Sequence, residues 1–226
     1  MNKLALFDID KTLISSNKVH EAAFSEAFKA VYGVDTNINT ISHPGMTDKQ
    51  IIIEVLEKSG LERDFIVSKL DECTKVMVDY FKKNISSGEI FLYEGVKDLL
   101  ELLSRKNILM GLVTGNLEDI ARGKLKIAGV NDYFKIGGFG SDGIDRTDLV
   151  KLAIKKAEEN IGPVNNDNVF LFGDTPRDIE AAQGAGVKTI GVATGIYSEE
   201  QLKDAGADFV LENLRDAEKV LEIILN

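Results

Sequence analysis

The sequence has little of what secreted and membrane-spanning proteins need. Among its 226 residues there are one cysteine, Cys73, three prolines and no tryptophan. A single cysteine excludes an internal disulfide and fits a reducing compartment. No apolar run approaches the roughly 20 residues that span a bilayer, and the first apolar run is too short and too acidic for a signal peptide. We therefore expect a cytoplasmic protein in which Cys73 is a core residue.

Basic residues are also scarce, since 27 lysines and arginines face 37 aspartates and glutamates, for a net charge of -10. An acidic surface disfavours nucleic acid and anionic membranes, so we expect neither as a partner. The apolar fraction of 44% is ordinary for a globular protein. The length suits one large domain, or one domain with a second inserted in it. The composition leaves both a monomer and a homodimer open.

Short, continuous apolar runs are what the sequence does have. They lie at 4–7, 108–113, 169–172, 189–193 and 209–211, with a weaker one at 133–136. Runs of this length are typical of strands buried on both faces. Helical patterns lie between them, with Thr147, Pro176 and Gly129 as candidate helix ends. This alternation predicts βαβ units, and hence an α/β fold with a Rossmann-like parallel sheet core.

Residues 16–89 break the alternation, because they contain helical patterns and no good strand. Apolar side chains step along three helical segments, and Thr47 and Gly60 are the candidate ends of the second. The third segment places on one face Ile66, Leu70, Cys73, Met77 and Tyr80. We expect residues 16–89 to form an all-helical cap domain on a core of residues 1–15 and 90–226. An insert that leaves the carboxyl edge of an open α/β sheet is placed to cover the ligand site there.

Three of the predicted strands end in polar residues. The first is followed by Asp8, Asp10 and Thr12, the second by Thr114, Gly115 and Asn116, and the third by Asp174 and Asp178. The carboxyl ends of parallel strands share one edge of the sheet, so four carboxylates are expected to meet there. Two like charges about 4 Å apart repel by about 1 kcal/mol in water and about 4 kcal/mol at an effective dielectric of 20. A hard cation relieves this repulsion, and Mg²⁺ is the commonest fit to such oxygen ligands.

A bound Mg²⁺ favours a substrate that carries a phosphate, to which Thr114, Asn116 and backbone amides such as that of Gly115 can donate hydrogen bonds. Asp8 is placed to attack phosphorus, because carboxylates form aspartyl-phosphate intermediates. Asp10 can protonate the leaving oxygen and later deprotonate the attacking water. The two acids need opposite protonation states at the same moment, and we expect different distances from the metal to separate their pKa values.

The motifs "DIDKT", "LVTGN" and "GDTPRD", in this order and at these strand ends, resemble the signature motifs of the haloacid dehalogenase superfamily. The resemblance covers essentially the whole chain, and the helical insert resembles the cap of that family. The segments "HPGMTDKQI" and "FLYEGVKDLLELL" are similar to the phosphoglycolate phosphatase-like branch. The resemblance implies a phosphatase that uses Mg²⁺ and an aspartate nucleophile.

The resemblance also implies individual roles. Asp8 is the implied nucleophile and a metal ligand, and Asp10 is the implied acid/base that binds the metal through its backbone carbonyl. Asp174 is an implied metal ligand, supported by Asp178 directly or through water. Thr114 is implied to hold the phosphate.

The third motif of the family supplies a basic residue, commonly lysine, that pairs with the phosphate and the nucleophile. Here the sequence departs from that pattern, because Arg146 stands just before a predicted helix where the lysine is expected. Lys124 is the alternative. An arginine binds phosphate through a forked pair of donors rather than as a point charge, and we expect Arg146 to take this role.

In the cap, His43 and Thr47 lie in a loop that we expect to reach the substrate, although a solvated loop histidine is an equal interpretation of His43. His20 is interpreted as a helix surface residue. The sequence thus predicts a Mg²⁺-dependent phosphomonoester hydrolase for a small phosphorylated metabolite, such as phosphoglycolate, a sugar phosphate or a nucleoside monophosphate. A phosphomutase of the same superfamily and an inactive regulatory protein on this fold are the alternatives. Dehalogenation is disfavoured, because Asp10 and the Asp174 metal set would have no task in it.

Overall fold

The computed structural model describes residues 2–15, 18–86 and 90–226. The strands are β1 (Leu4–Phe7), β2 (Leu109–Thr114), β3 (Ile136–Phe139), β4 (Val169–Gly173), β5 (Lys188–Val192) and β6 (Phe209–Leu211). The helices are α1 (Lys18–Ala27), α2 (Asp48–Lys58), α3 (Arg63–Ser68), α4 (Leu70–Asn84), α5 (Val96–Arg105), α6 (Glu118–Ile127), α7 (Arg146–Ile161), α8 (Pro176–Ala185), α9 (Glu199–Asp204) and α10 (Ala217–Leu225). The predicted cap boundaries at 16 and 89 lie outside the described residues. Within the described residues, no helix has the length and apolar character to cross a membrane.

The six strands form one parallel sheet in the order β3-β2-β1-β4-β5-β6. Leu4 of β1 is in register with Leu109 of β2 on one side and with Val169 of β4 on the other. This is the Rossmann order, in which the chain returns to the centre after three strands and continues beyond β1. The predicted α/β fold with a Rossmann-like parallel sheet is confirmed. As a result, the carboxyl ends of β2 and β4 flank the carboxyl end of β1.

The central strand β1 is anchored from both faces. Its side chains alternate, so that Ala5 and Phe7 join one apolar cluster while Leu4 and Leu6 join another. The ring of Phe7 stacks on that of Phe172 in β4, with centroids 4.4 Å apart. Full burial of a Leu or Phe side chain contributes about 1.5–3 kcal/mol. The carboxyl end of β1 is therefore a rigid base for the residues that follow it.

Helices α1 to α4 and the segments that join them, to which we give the name cap, surround a third apolar cluster. Its buried members include Phe24, Phe28, Ile52, Met77 and Phe81. Leu117 and Ile120, at the start of the core helix α6, belong to the same cluster. The cap thus packs directly on the core above the carboxyl edge of the sheet. Cys73 is fully buried in this cluster and burial raises its pKa to about 12, so its predicted place in the core is confirmed.

The third cap helix differs from its prediction. It is two helices, α3 and α4, which meet at Lys69. The buried stripe of α4 consists of Cys73, Met77 and Phe81, whose steps of four residues keep them on one face. Tyr80 is partly buried and packs against the same apolar cluster, in agreement with its predicted place on this face.

Strand β3 also differs from its prediction. The weak run at 133–136 reaches from the end of a 3₁₀ turn, Asn131–Tyr133, to the first residue of the strand, Ile136–Phe139. The strand is hard to predict from the sequence, because Gly137 and Gly138 have low β propensity and interrupt the apolar run. Gly138 is required by packing, since a Cβ there would collide with the backbone of Leu149 in α7.

Candidate active site

The carboxyl ends of β1, β2 and β4 meet beneath the cap, and a cavity of about 260 Å³ lies between this edge and the cap. Of the residues selected from the sequence, the cavity is lined by Asp8, Asp10, His43, Gly115, Asn116, Lys124, Arg146 and Asp174. Thr47, Thr114 and Asp178 are buried and lie outside this lining. The carboxylates divide into two groups with different partners. We call them the Asp8 side, with Asp174, Asp178 and Arg146, and the Asp10 side, with Asn116, Lys124 and His20.

Arg146 connects two carboxylates of the Asp8 side. Helix α7 begins at Arg146, because the carboxylate of Asp145 caps it by accepting the N–H of Thr147 at 2.7 Å. Thr147, the predicted N-cap, is therefore inside the helix. Nη2 of Arg146 lies 3.3 Å from Oδ1 of Asp8 and also donates to Oδ1 of Asp178. Its Nε is buried and has no hydrogen-bond partner among the described residues.

Asp178 is held by the start of α8. Pro176 is the first residue of that helix, as predicted. Oδ2 of Asp178 accepts the backbone N–H of Thr175 at 3.0 Å and the Thr175 hydroxyl at 2.7 Å. Asp178 is thus fixed by Thr175 and Arg146 behind the cavity wall, where it orients the arginine.

The Asp8 side is short of positive charge. Burial, the neighbouring charge of Asp178 and that of Asp10 raise the pKa of Asp8 to about 7, although Arg146 and a backbone hydrogen bond oppose the shift. Burial and the charges of Asp178 and Asp8 raise the pKa of Asp174 to about 8. One guanidinium does not compensate three buried carboxylates.

The chemistry of these donors fits a hard divalent cation. Asp8 and Asp174 both line the cavity and are only 7% and 4% exposed, and their raised pKa values reflect a charge deficit that a cation would remove. Gly195 contacts the Asp174 carboxylate so closely that a Cβ at this position would collide with it. In the described part of the chain, no three His, Cys, Asp or Glu side chains form a group that could hold a metal by themselves. A cation here therefore needs main-chain, water or substrate oxygens as well.

The Asp10 side is rich in donors. Nζ of Lys124 lies 2.8 and 2.6 Å from the two carboxylate oxygens of Asp10, and Nδ2 of Asn116 donates to Oδ2 at 2.8 Å. Lys124 also donates to Oδ1 of Asn116 at 2.7 Å. Burial pushes the pKa of Asp10 upward, but the charge of Lys124 and the hydrogen bonds from Lys124 and Asn116 outweigh it. The pKa of Asp10 therefore lies below its ordinary value.

His20 completes this group from the cap, and its interpretation as a surface residue is wrong. It is 9% exposed, with Nδ1 3.1 Å from Nζ of Lys124 and Nε2 3.2 Å from Oδ2 of Asp48. An ammonium cannot accept a hydrogen bond, so Nδ1 is assigned as the acceptor and Nε2–H as the donor to Asp48. The signal was present in the sequence, since His20 shares a helix face with Phe24 and Ala27 of the buried stripe.

Asp48 is a second residue that sequence reasoning missed. Its Oδ2 accepts the backbone N–H of Leu117 at 2.8 Å, and its own N–H donates to the carbonyl of Gly115 at 2.8 Å. These bonds join the start of α2 in the cap to the turn after β2. Gly115 must be glycine for this approach, because a Cβ would collide with the backbone of Met46. No pattern in the sequence distinguished Asp48 from an ordinary first-turn acid.

The remaining predicted residues have defined places. Oγ1 of Thr114 accepts from the backbone N–H of Asn116 at 3.3 Å and from its side chain at 2.9 Å. Thr47 is the N-cap of α2, as predicted, and its hydroxyl accepts the N–H of Gln50 at 3.3 Å. Thr47 therefore caps the helix and lies outside the cavity lining, whereas we predicted that it contacts the substrate. His43 is partly buried at the cavity wall.

Comparison with known proteins identifies the family of this chain. A family model described as haloacid dehalogenase-like hydrolase matches residues 5–192. The chain is 25% identical over 215 residues to a protein named pyrophosphatase PpaX from Oceanobacillus iheyensis, covering 93% of this chain and 92% of that one.

Solved structures are similar over almost the full length. A hydrolase from Pseudomonas syringae has a TM-score of 0.72 at 24% identity, with 99% of each chain covered. A predicted phosphoglycolate phosphatase from Haemophilus somnus has a TM-score of 0.72 at 19% identity, with 97% of this chain and 98% of that chain covered. At these identities the likeness concerns the fold.

Proposed function

The chain belongs to the haloacid dehalogenase-like hydrolase family, and we propose that it is a Mg²⁺-dependent phosphomonoester hydrolase that acts on a small phosphorylated metabolite through an aspartyl phosphate. The observation that carries this proposal is the pair of aspartates that follow the central strand, each with its own buried cationic side chain. Arg146 lies 3.3 Å from Asp8, and Lys124 lies 2.8 and 2.6 Å from the oxygens of Asp10. One carboxylate can attack phosphorus while the other transfers protons in the same cavity.

In the first step, an oxygen of Asp8 bonds to phosphorus as the ester P–O bond breaks. Asp10 gives its proton to the leaving alcohol oxygen. Arg146, whose Nε is unpartnered among the described residues, and the backbone amides after β2 hold the phosphate oxygens. Thr114 stays in our phosphate-binding set, because its hydroxyl accepts from Asn116 and still has its own proton to donate.

In the second step, Asp10 is ionised and takes a proton from water. The water oxygen bonds to phosphorus, the bond from phosphorus to Asp8 breaks, and inorganic phosphate leaves. Lys124 and Asn116 hold Asp10 in place through their hydrogen bonds. General acid–base help of this kind is typically worth about 10²–10⁴-fold.

With the protein groups alone, the pKa directions oppose these roles. Asp8 must be ionised to attack, yet its pKa is raised, and Asp10 must begin protonated, yet its pKa is lowered. When bound at Asp8, Asp174 and the Asp10 carbonyl, Mg²⁺ supplies positive charge that favours ionised carboxylates and offsets the charge of the phosphate. An arriving phosphate dianion competes for Lys124 and opposes ionisation of Asp10, which moves the pKa of Asp10 back toward the value that a general acid needs.

The test is the release of 4-nitrophenol from 4-nitrophenyl phosphate by protein treated with EDTA and then supplied with Mg²⁺. We expect turnover to fall to background in EDTA and to return with Mg²⁺. Full activity in excess chelator would contradict the metal dependence. No hydrolysis of any ester with Mg²⁺ would favour an inactive regulatory protein, and phosphate release that requires a bisphosphate activator would favour a phosphomutase.

A further inference from the structure

The cavity has two walls of different chemistry. The core wall carries the acids and bases of the proposed reaction. The cap wall, by which we mean the cavity-lining residues of the cap, has an apolar part made of Phe24, Ile38, Met46 and Ile51. All four are at most 5% exposed. The transferred phosphate belongs against the core wall, so the cap wall contacts the leaving group.

The charges on the cap wall are negative. Glu21 and Asp48 line the cavity, and among the cap residues that the structure describes at this cavity none is lysine or arginine. Both ring nitrogens of His20 are engaged, with Lys124 and with Asp48. His43 is therefore the cap-wall imidazole ring left to contact the leaving group, and it can form a hydrogen bond with a hydroxyl.

The size of the cavity limits the leaving group further. Its volume of about 260 Å³ is below the roughly 300–1,000 Å³ of sites for drug-sized ligands, and the phosphate takes part of that space. Ile196, on the loop after β5, lines the cavity and is 70% exposed. An apolar side chain on the core side thus faces the same compartment as the apolar cap wall.

Lys11 is a further cationic residue at the cavity, and its position decides which part of the substrate it faces. It lines the cavity from the core loop, directly after Asp10, in a left-handed conformation with φ of 68°. The hydroxyl of Thr194 donates to its backbone carbonyl and holds this loop against the core. Because Lys11 belongs to the core wall, its charge adds to the wall that receives the phosphate.

We infer that the leaving group is a small, uncharged alcohol with an apolar body, and that substrates whose leaving group is an anion are disfavoured. This inference rests on the proposed phosphatase function. A carboxylate or a second phosphate beside Phe24 and Glu21 would lose hydration without gaining a cationic partner from the described residues of the cap wall. An uncharged body would instead bury apolar surface against Phe24, Ile38 and Met46.

The experiment compares kcat/KM for isobutyl phosphate and 2-phosphoglycolate, whose leaving groups match in shape and in number of non-hydrogen atoms but differ in charge. We expect isobutyl phosphate to be preferred by about tenfold or more. A kcat/KM for phosphoglycolate or pyrophosphate equal to or above that for isobutyl phosphate would overturn the inference.

Two charge variants sharpen the test. Glu21→Lys adds a cation to the cap wall and should raise kcat/KM for phosphoglycolate severalfold relative to isobutyl phosphate. Glu26→Lys, at an exposed position of α1 outside the cavity lining, is the matched control and should leave that ratio unchanged. Lys11→Met should lower kcat/KM for both substrates by the same factor. A loss confined to phosphoglycolate would show that Lys11 recruits anionic leaving groups and would overturn the inference.

The outcomes separate this inference from the proposed function. Hydrolysis of 4-nitrophenyl phosphate together with a preference for phosphoglycolate would overturn the inference alone. Failure to hydrolyse any ester in the presence of Mg²⁺ would overturn the proposed function and this inference with it.

Discussion

The Asp8 side and the Asp10 side begin two residues apart on one loop, yet their electrostatics are opposite. Burial and the charge of Asp178 raise the pKa of Asp8 to about 7. The guanidinium of Arg146 opposes this shift only in part, because two further carboxylates, Asp174 and Asp178, share it. Asp10 is also buried, but Lys124 and Asn116 outweigh burial and lower its pKa. Partner charge, rather than burial, therefore distinguishes the two acids.

The two sides also differ in where their partners come from. The Asp8 side is built from the loop after β1, the start of α7, the turn after β4 and the start of α8, all of them core elements. The Asp10 side takes Asn116 and Lys124 from the core but is completed by His20 from the cap. The Asp10 side therefore has a direct hydrogen-bond partner in the cap.

The largest expected effect is on the Asp8 side. Asp8→Asn removes the attacking oxyanion while it keeps shape and most hydrogen bonding, so turnover should fall to background. Intact-mass measurement after rapid acid quench should find no added phosphoryl group. Substantial residual turnover would instead favour direct attack by water.

Asp10→Asn should behave differently, because the nucleophile survives. We expect a loss of about 10²–10⁴-fold from the missing acid and base. With 4-nitrophenyl phosphate, whose leaving group needs little protonation, the variant should phosphorylate Asp8 and then stall. The same quench should show one phosphoryl group on this variant, and a label that maps to another residue would contradict the assignment of Asp8.

The next comparison is between the two cationic side chains, Arg146 and Lys124. Arg146→Ala should cost about 10²–10³-fold, because it removes charged donors beside Asp8 and leaves Asp178 without its partner. Lys124→Ala should cost less and should shift the pH dependence of Asp10 to higher pH, since it removes the cation that lowers the pKa of Asp10. Parallel pH profiles of kcat/KM are the measurement, and the reverse order of losses would transfer the phosphate-binding role to Lys124.

His20→Ala tests whether the cap contributes to the Asp10 side. Loss of one hydrogen bond to a charged group is worth about 1.5–3 kcal/mol, so we expect kcat/KM to fall by about tenfold or more. Dephosphorylation of Asp8 should slow more than its phosphorylation by 4-nitrophenyl phosphate. Glu26→Ala on the same helix is the control, and equal behaviour of the two variants would argue against a role for His20.

The remaining prediction concerns stability rather than activity. The raised pKa values of Asp8 and Asp174, about 7 and about 8, stabilise the fold below about pH 4, and this stabilisation is lost as pH rises through these values. In EDTA, the melting temperature should therefore fall from about pH 5 to about pH 8, by about 2–4 °C per kcal/mol lost. Mg²⁺ should raise it more at the higher pH. Asp174→Asn should weaken both trends, and an unchanged trend would contradict the charge deficit.

Much of the fold was predictable from local pattern. The buried run of β1 and the capping residues Thr47 and Pro176 were identified because each depends on a few neighbouring residues. Strand β3 was misplaced, because Gly137 and Gly138 carry no apolar signal and their place depends on packing against α7. Long-range packing decides such segments, and periodicity does not report it.

The sequence by itself determined that acids, a threonine and an asparagine follow three parallel strands, and therefore that they meet at one edge of a sheet. Only the tertiary structure decided which base serves which acid. Arg146 reaches Asp8 and Lys124 reaches Asp10 from helices α7 and α6, which pack on opposite faces of the sheet. Only the docking of the cap decided that His20 is buried against Lys124. A pKa depends on charges within a few ångströms in space, and those distances exist only once the chain has folded.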